Sequence, residues 1–227
     1  LALEPAVRRR RPAAILAWTR LTSGRVSDPM VARDVLRGAA LGAAWCVLYK
    51  AWVIIAHNFT DAPAPTIVPD EVLRGVPAAA AMILSGLSGS VQYGLLMLMG
   101  LLLWSRTGKW KWPARAGFAV FVVLLGFIIM ALLGQPQAAN SVFYLQPWGL
   151  VTAIVYFFVL ARLGLLTAVV MTTTMWTLCV LPATLESGRW YAAIGWTGVV
   201  AVIAAAAWGA WGAARVKARG AGLATVG

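Results

Sequence analysis

The sequence predicts an all-α integral membrane protein, a bundle of about six transmembrane helices with both termini cytoplasmic. Of its 227 residues, 61% are hydrophobic and only 11% are charged, which is too little polar surface for a soluble domain. Several apolar runs reach the length of about 20 residues that a helix needs to cross a bilayer. The distribution of basic residues then decides how many spans there are.

Polar or basic segments separate the apolar runs. Asp28 and Pro29 suit the N-cap and first position of the first helix. The second run is long for one straight helix and contains SGLSGS (85–90), so the sequence allows one helix or two. The stretch 148–182 allows one long span or two helices with a tight turn at ARLG (161–164). The predicted spans are 35–57, 76–104, 116–134, 147–161, 164–184 and 190–212.

The charge distribution favours six spans. This arrangement places 16 of the 19 basic residues on the side of the two termini, as the positive-inside rule expects. A single span over 148–182 would leave Arg162 in lipid, which costs a few kcal/mol. The predicted inside residues are Arg8, Arg9, Arg10, Arg11, Arg20, Arg25, Arg33, Arg37, Arg106, Lys109, Lys111, Arg115, Arg162, Arg215, Lys217 and Arg219.

The spans are flanked by a basic segment, 1–34, and a basic tail, 213–227. Apolar side chains of residues 11–24 lie among arginines, which predicts an interfacial helix attracted to anionic lipid headgroups; a linker without regular structure is the alternative. Tryptophans near the span ends indicate an aromatic belt. The predicted lipid and interface residues are Arg8, Arg9, Arg10, Arg11, Trp18, Trp104, Trp110, Trp112 and Trp190.

Residue types that support catalysis are scarce. The chain has one histidine, and its seven acidic residues all lie outside the apolar cores, so no buried proton relay or metal site is predicted. Neither common phosphate-binding loop nor any kinase motif is present. The sequence therefore predicts no enzyme and no cofactor, and it leaves room for a bound lipid or pigment. Nucleic-acid binding is not expected, because the basic residues flank apolar spans.

Two polar residues of the first span form a candidate site. Lys50 and His57 are seven residues apart and share a helix face near the outer surface. Lys50 either binds an anionic lipid or partner or snorkels to the interface, and snorkelling is favoured. His57 is a weak candidate for a pigment or haem ligand; a solvated side chain at a span end is favoured. Cys46 and Cys179 are interpreted as small apolar packing residues rather than a disulfide or metal site.

The second span carries small residues at the spacing that lets helices approach closely. Ser85 and Gly89 form one such pair, and Ser90 and Gly94 form another. The pattern predicts packing within the chain or against a partner. The predicted packing residues are Ser85, Gly86, Gly89, Ser90 and Gly94.

Two segments resemble the C-terminal polytopic membrane domain of bacterial transmembrane serine/threonine protein kinases. They are RLTSGRVSDPMVARDVLRGAALG (20–42) and YFFVLARLGLLTAVVMTTTMW…LPATLESGRWYAA (156–193), the second with an Arg-Leu-Gly turn, a Pro-x-Thr and a Trp-Tyr pair. The resemblance covers roughly a third of the chain. The kinase domain of those proteins has no counterpart within this chain, and no matching position is catalytic. The resemblance implies a membrane anchor or sensor module in the bacterial inner membrane.

Three functions follow as hypotheses. The first is the anchor or sensor module of a signalling kinase. The second is an accessory subunit that stabilises neighbouring helices in a larger membrane complex, such as a photosynthetic or respiratory one. The third, a small transporter, is weaker, because internal repeats and midplane polar residues are not evident apart from Gln92. The expected partners are the anionic bilayer and other membrane subunits.

Overall fold

The computed structural model describes residues 12–59, 70–106, 116, 117, 120, 142–182, 184, 186 and 188–224. Every long regular element in this part of the chain is an α-helix, which confirms the all-helical prediction there. A five-residue 3-10 helix, Asp70–Arg74, precedes the third α-helix. The α-helices are α1 (Pro12–Thr22), α2 (Pro29–Phe59), α3 (Val76–Arg106), α4 (Val142–Arg162), α5 (Leu165–Val180) and α6 (Ala192–Ala224).

Three of these helices identify a membrane protein. The segments Pro29–Ile55, Val76–Leu101 and Ala192–Arg215 are long and apolar enough to cross a bilayer. Large apolar side chains on their outer faces are exposed, which suits contact with lipid. Examples are Val47, Ile54, Leu84, Leu87, Val200 and Ile203.

The structure answers one question that the sequence left open, and it shows the helix break that the charge distribution favoured. Residues 76–104 belong to one continuous helix, α3, so SGLSGS does not break it. The stretch 148–182 divides into α4 and α5 at Gly164, whose φ of 103° is a left-handed conformation that favours glycine. The predicted span 116–134 lies almost entirely outside the described residues.

Helix α5 is shorter than the predicted span 164–184, because it ends at Val180. The next residue, Leu181, has an extended conformation with ψ of 134°. Leu181 precedes Pro182, and a residue before proline is sterically pushed away from the helical region. The sequence therefore contained the stop signal, and the apolar run alone placed the helix end too late.

Contacts between glycines and neighbouring helices give the helix directions. Gly38 and Gly42 of α2 lie against residues 167–174 of α5 in the same order, so α2 and α5 are parallel. Gly86 and Gly94 of α3 face α5 in reverse order, so α3 is antiparallel to it. Helix α6 is antiparallel to α2, because Gly209 and Gly212, near its end, contact the start of α2 at Ala32 and Leu36.

A close backbone contact joins α2 to α5. A Cβ atom added to Gly38 would lie 2.7 Å from Val170 Cβ and 2.8 Å from the Thr167 carbonyl oxygen. One added to Gly42 would overlap the Met171 carbonyl oxygen and lie 2.7 Å from Thr174 Cβ. Only glycine lets the two backbones approach this closely. α5 is thereby held in the interior, with ten of its side chains buried.

The end of the bundle opposite α1 has its own apolar cluster. Val72 of the 3-10 helix is fully buried there. It packs in a cluster with Ala79 of α3, Val180 and Leu181 at the end of α5, and Ile194 of α6. This short helix therefore covers the far end of the bundle.

Replacing Gly42 with leucine is expected to destabilise the fold. The new side chain cannot fit against the α5 backbone, and overpacking of this kind costs about 1–3 kcal/mol. The free energy of unfolding in mixed detergent micelles measures the loss. Gly89→Leu is the matched control, because nothing lies within 4 Å of a Cβ at Gly89. Equal losses in the two variants would contradict the α2–α5 contact.

Candidate functional site

Helix α1 packs against the bundle. Ile15 and Ala17 are each only 5% exposed. Ile15 belongs to the cluster that includes Leu165 of α5, and Ala17 packs with Val31 of α2 and Leu166 of α5. The segment predicted as an interfacial helix thus has apolar side chains buried in protein rather than turned wholly towards lipid.

A turn and an ion pair connect α1 to α2. Gly24, with a φ of 79°, follows the end of α1 and supplies the left-handed residue common after helix ends. The Arg20 guanidinium then donates to both carboxylate oxygens of Asp28, at 2.8 and 3.0 Å. Asp28 Oδ1 also accepts the backbone N–H of Met30 at 2.9 Å, which confirms the predicted N-cap of α2. One carboxylate therefore fixes the end of α1 and the start of α2.

Basic side chains gather at the end of the bundle where α1 docks. We call this the basic end, defined by Arg33, Arg37, Arg162 and Arg215. The Arg215 guanidinium carbon lies 3.5 Å from the ring centroid of Trp211, and that of Arg162 lies 5.5 Å from the ring of Phe158. Arginines over aromatic rings at helix ends are suited to the headgroup region.

Two thiols meet on the α2–α5 interface beyond the glycines. Cys46 lies one helical turn after Gly42, and its sulfur is 3.1 Å from the sulfur of Cys179. The residues are 7% and 5% exposed, and both are free thiols. The sequence placed each cysteine among apolar packing residues. Their burial agrees with that interpretation, and their mutual contact is a feature that it did not include.

Lys50 continues the same row along α2, four residues after Cys46. Its Nζ donates a hydrogen bond of 3.3 Å to the backbone carbonyl oxygen of Cys179. This carbonyl is in the last turn of α5, where the helix has no N–H left to pair with it. Lys50 therefore satisfies the end of a neighbouring helix. His57 is in the last turns of α2, and its side chain lies outside the described part of the structure.

Three of the five predicted packing residues face other helices. A Cβ on Gly86 would overlap the Trp176 ring, and one on Gly94 would lie 3.0 Å from Tyr156 Oη. Ser90, 3% exposed, donates its hydroxyl to the Gly86 carbonyl oxygen at 2.7 Å. The contact row on α3 is therefore Gly86, Ser90 and Gly94.

Ser85 and Gly89 lie on the other face of α3, away from its contacts within the described chain. Both are exposed, as are Ser88 and Gln92, and Gln92 Nε2 lies 3.4 Å from Ser88 Oγ. We call these four residues the α3 outer row. The side chains of this row are small or polar, in contrast to the apolar outer faces elsewhere on the spans.

The predicted interface residues are distributed as follows. Trp18 is partly buried between α1 and the bundle, and Trp190 is 70% exposed near the start of α6. Trp104 lies near the end of α3, and nothing further is described of its side chain. The residues Arg8, Arg9, Arg10, Arg11, Trp110 and Trp112 lie outside the described residues.

The sequence contained a signal for the α2–α5 contact that was not used. Gly38, Gly42 and Cys46 repeat at intervals of four, the same small-residue spacing that drew attention to α3. Extending this row by four residues reaches Lys50. The partner, Cys179, has no comparable pattern around it, so the pairing itself needed the fold.

Removing the Asp28 carboxylate is expected to loosen the α1–α2 junction. Asp28→Ala loses an N-cap, which costs about 0.5–2 kcal/mol, and leaves Arg20 without its ion pair. A double-mutant cycle with Arg20→Ala should give a coupling of about 1 kcal/mol in unfolding free energy. Glu186→Ala is the control, because the Glu186–Arg189 pair is highly exposed and contributes little. A coupling near zero would show that the pair does not join the helices.

Comparison of the chain with protein-family models, with curated proteins and with solved structures finds no match.

Proposed function

We propose that this chain is a non-catalytic membrane module, an anchor or sensor that connects its transmembrane bundle to α1. The observation that carries the proposal is the docking of α1. Ile15 and Ala17 are buried against α2 and α5, and Arg20 binds the residue that caps α2. A change in α2–α5 packing therefore acts directly on the helix that leads into the bundle. The resemblance to kinase membrane domains points to the same role.

The proposed orientation places the basic end at the cytoplasmic face of a bacterial inner membrane. The side chains of Arg33, Arg37, Arg162 and Arg215 define this end, and lysine and arginine favour cytoplasmic surfaces. In this arrangement of six spans, α1 lies at the inner leaflet beside anionic headgroups. The thiol pair and Lys50 then lie towards the outer face.

Coupling between the bundle and α1 is testable by hydrogen exchange in lipid nanodiscs. Gly42→Leu, which does not touch α1, is expected to raise the exchange rate of amides 15–22 by about tenfold. That factor corresponds to about 1.4 kcal/mol of lost docking free energy. The reason is that α1 rests on the same α2 and α5 helices that Gly42 brings together.

The matched variant Gly89→Leu is expected to leave exchange in α1 unchanged, because Gly89 faces away from the helix contacts. If α1 exchanges equally fast in the wild type and in Gly42→Leu, the two regions are independent. A sensor connecting them would then be ruled out.

The orientation has a separate test in intact cells. Ser23→Cys and Asn58→Cys, each in a Cys46→Ser/Cys179→Ser background, place one thiol at either end of the bundle. A membrane-impermeant maleimide should label Asn58→Cys directly and Ser23→Cys only after the membrane is permeabilised. The reverse pattern would place the basic end outside.

A second function, that of an accessory subunit in a larger membrane complex, is favoured by the α3 outer row. Ser85, Ser88, Gly89 and Gln92 expose small and polar groups on a helix that is long enough to span a bilayer. Such residues are typical of helix–helix contacts in membranes. Stoichiometric co-purification of other subunits in mild detergent, lost in Gly89→Leu, would favour this function. Purification of the chain without other subunits would favour the first function, that of an anchor or sensor module.

A further inference from the structure

We propose that Cys46 and Cys179 form an oxidisable dithiol, a site at which a disulfide bond reversibly joins α2 to α5. The inference concerns a modification site and does not depend on the proposed function. It begins from proximity: two cysteines 133 residues apart in sequence have their sulfur atoms 3.1 Å apart. A disulfide needs a sulfur–sulfur distance of about 2.05 Å, so the atoms must close by about 1 Å.

The glycine contact makes this proximity a property of the fold. Gly42 precedes Cys46 by one turn and holds α2 against the Met171 and Thr174 region of α5. A hydrogen bond also holds α2 and α5 together on the other side of Cys46. Its donor is Lys50 Nζ, one helical turn after Cys46, and its acceptor is the carbonyl oxygen of Cys179. Cys46 is thus fixed on both sides by contacts between the same two helices. The thiols are therefore preorganised to react with each other.

The surroundings favour intramolecular oxidation over other thiol reactions. Both cysteines are at least nine-tenths buried, so bulky water-soluble reagents and a second protein molecule do not reach them readily. Their position within the apolar part of the bundle suits an oxidant that is dissolved in the bilayer. Lys50 lies beside the pair, with its Nζ 3.3 Å from the backbone carbonyl oxygen of Cys179.

The reaction balances with a quinone as the oxidant class. The two S–H bonds break, one S–S bond forms, and two electrons and two protons pass to the quinone, which leaves as the quinol. A dithiol reductant that dissolves in the bilayer reverses the reaction by thiol–disulfide exchange, in which its own two thiols become a disulfide.

The experiment counts free thiols in the full chain in lipid nanodiscs. The protein is reduced, divided, and incubated with decylubiquinone, with oxidised glutathione or with neither. It is then denatured in the presence of a maleimide-linked polymer. The untreated chain should add two polymers, and the quinone-treated chain none, with an intact mass lower by two hydrogens. Oxidised glutathione, which stays in water, should have no effect.

Two single variants act as matched controls. Cys46→Ser and Cys179→Ser should each add one polymer whether or not quinone is present, because the remaining thiol has no partner. Quinone added after denaturation should also leave both thiols of the wild type free, which shows that the fold brings them together.

Several results would overturn the proposal. Two polymers after quinone treatment would mean that the contact is only a packing contact between thiols. A mass gain would indicate a quinone adduct, and a disulfide-linked dimer would show that the reactive partner is a second chain. Oxidation by glutathione disulfide and not by the quinone would overturn the assignment of the oxidant to the bilayer.

Discussion

The close approach of α2 to α5 is the constraint on which the rest of the structure depends. Gly38 and Gly42 allow it, because any larger side chain would overlap the α5 backbone. With α2 in this position, Cys46 meets Cys179 and Lys50 reaches the last turn of α5. Towards the other end, the same two helices present the apolar surface on which α1 rests. A short row of small residues thereby sets both the interior pairing and the docking of the peripheral helix.

The helix contacts and the distribution of charge distinguish the same two ends of the bundle. Glycine contacts bring the second half of α6 to the start of α2, and the turn at Gly164 places the end of α4 beside the start of α5. The basic residues near these segments are Arg33, Arg37, Arg162 and Arg215. At the opposite end the described contacts are the apolar cluster around Val72 and Leu181, the Lys50–Cys179 hydrogen bond and the exposed Glu186–Arg189 pair. A basic end and a largely apolar end are what a helical bundle needs to take one orientation in a bilayer.

Hydropathy, together with the charge distribution that divided 148–182, located most of the described helices, because an apolar run of sufficient length has few alternatives to a membrane helix. Local signals also worked: Asp28 caps α2, and the Arg-Leu-Gly turn ends at Gly164 with its left-handed φ. It was harder to predict which small residues of α3 contact other helices. Gly86 and Gly94 face α5 whereas Ser85 and Gly89 do not, since helix rotation is set by neighbours that a periodicity does not identify. The Cys46–Cys179 contact depends on two helices far apart in the chain and could not be read from either.

The length of α5 makes bilayer thickness a variable for this protein. Its 16 residues rise about 24 Å, less than the roughly 30 Å of a hydrocarbon core. In a bilayer that α5 crosses, the carbonyls of its last turn would lie short of the headgroups, and Lys50 donates to one of them, that of Cys179, in place of water. A thicker membrane would bury this ammonium more deeply, whereas a thinner one would bring it closer to the headgroups. In such a bilayer, the environment of this one lysine, where α2 and α5 meet, would change with the hydrophobic mismatch.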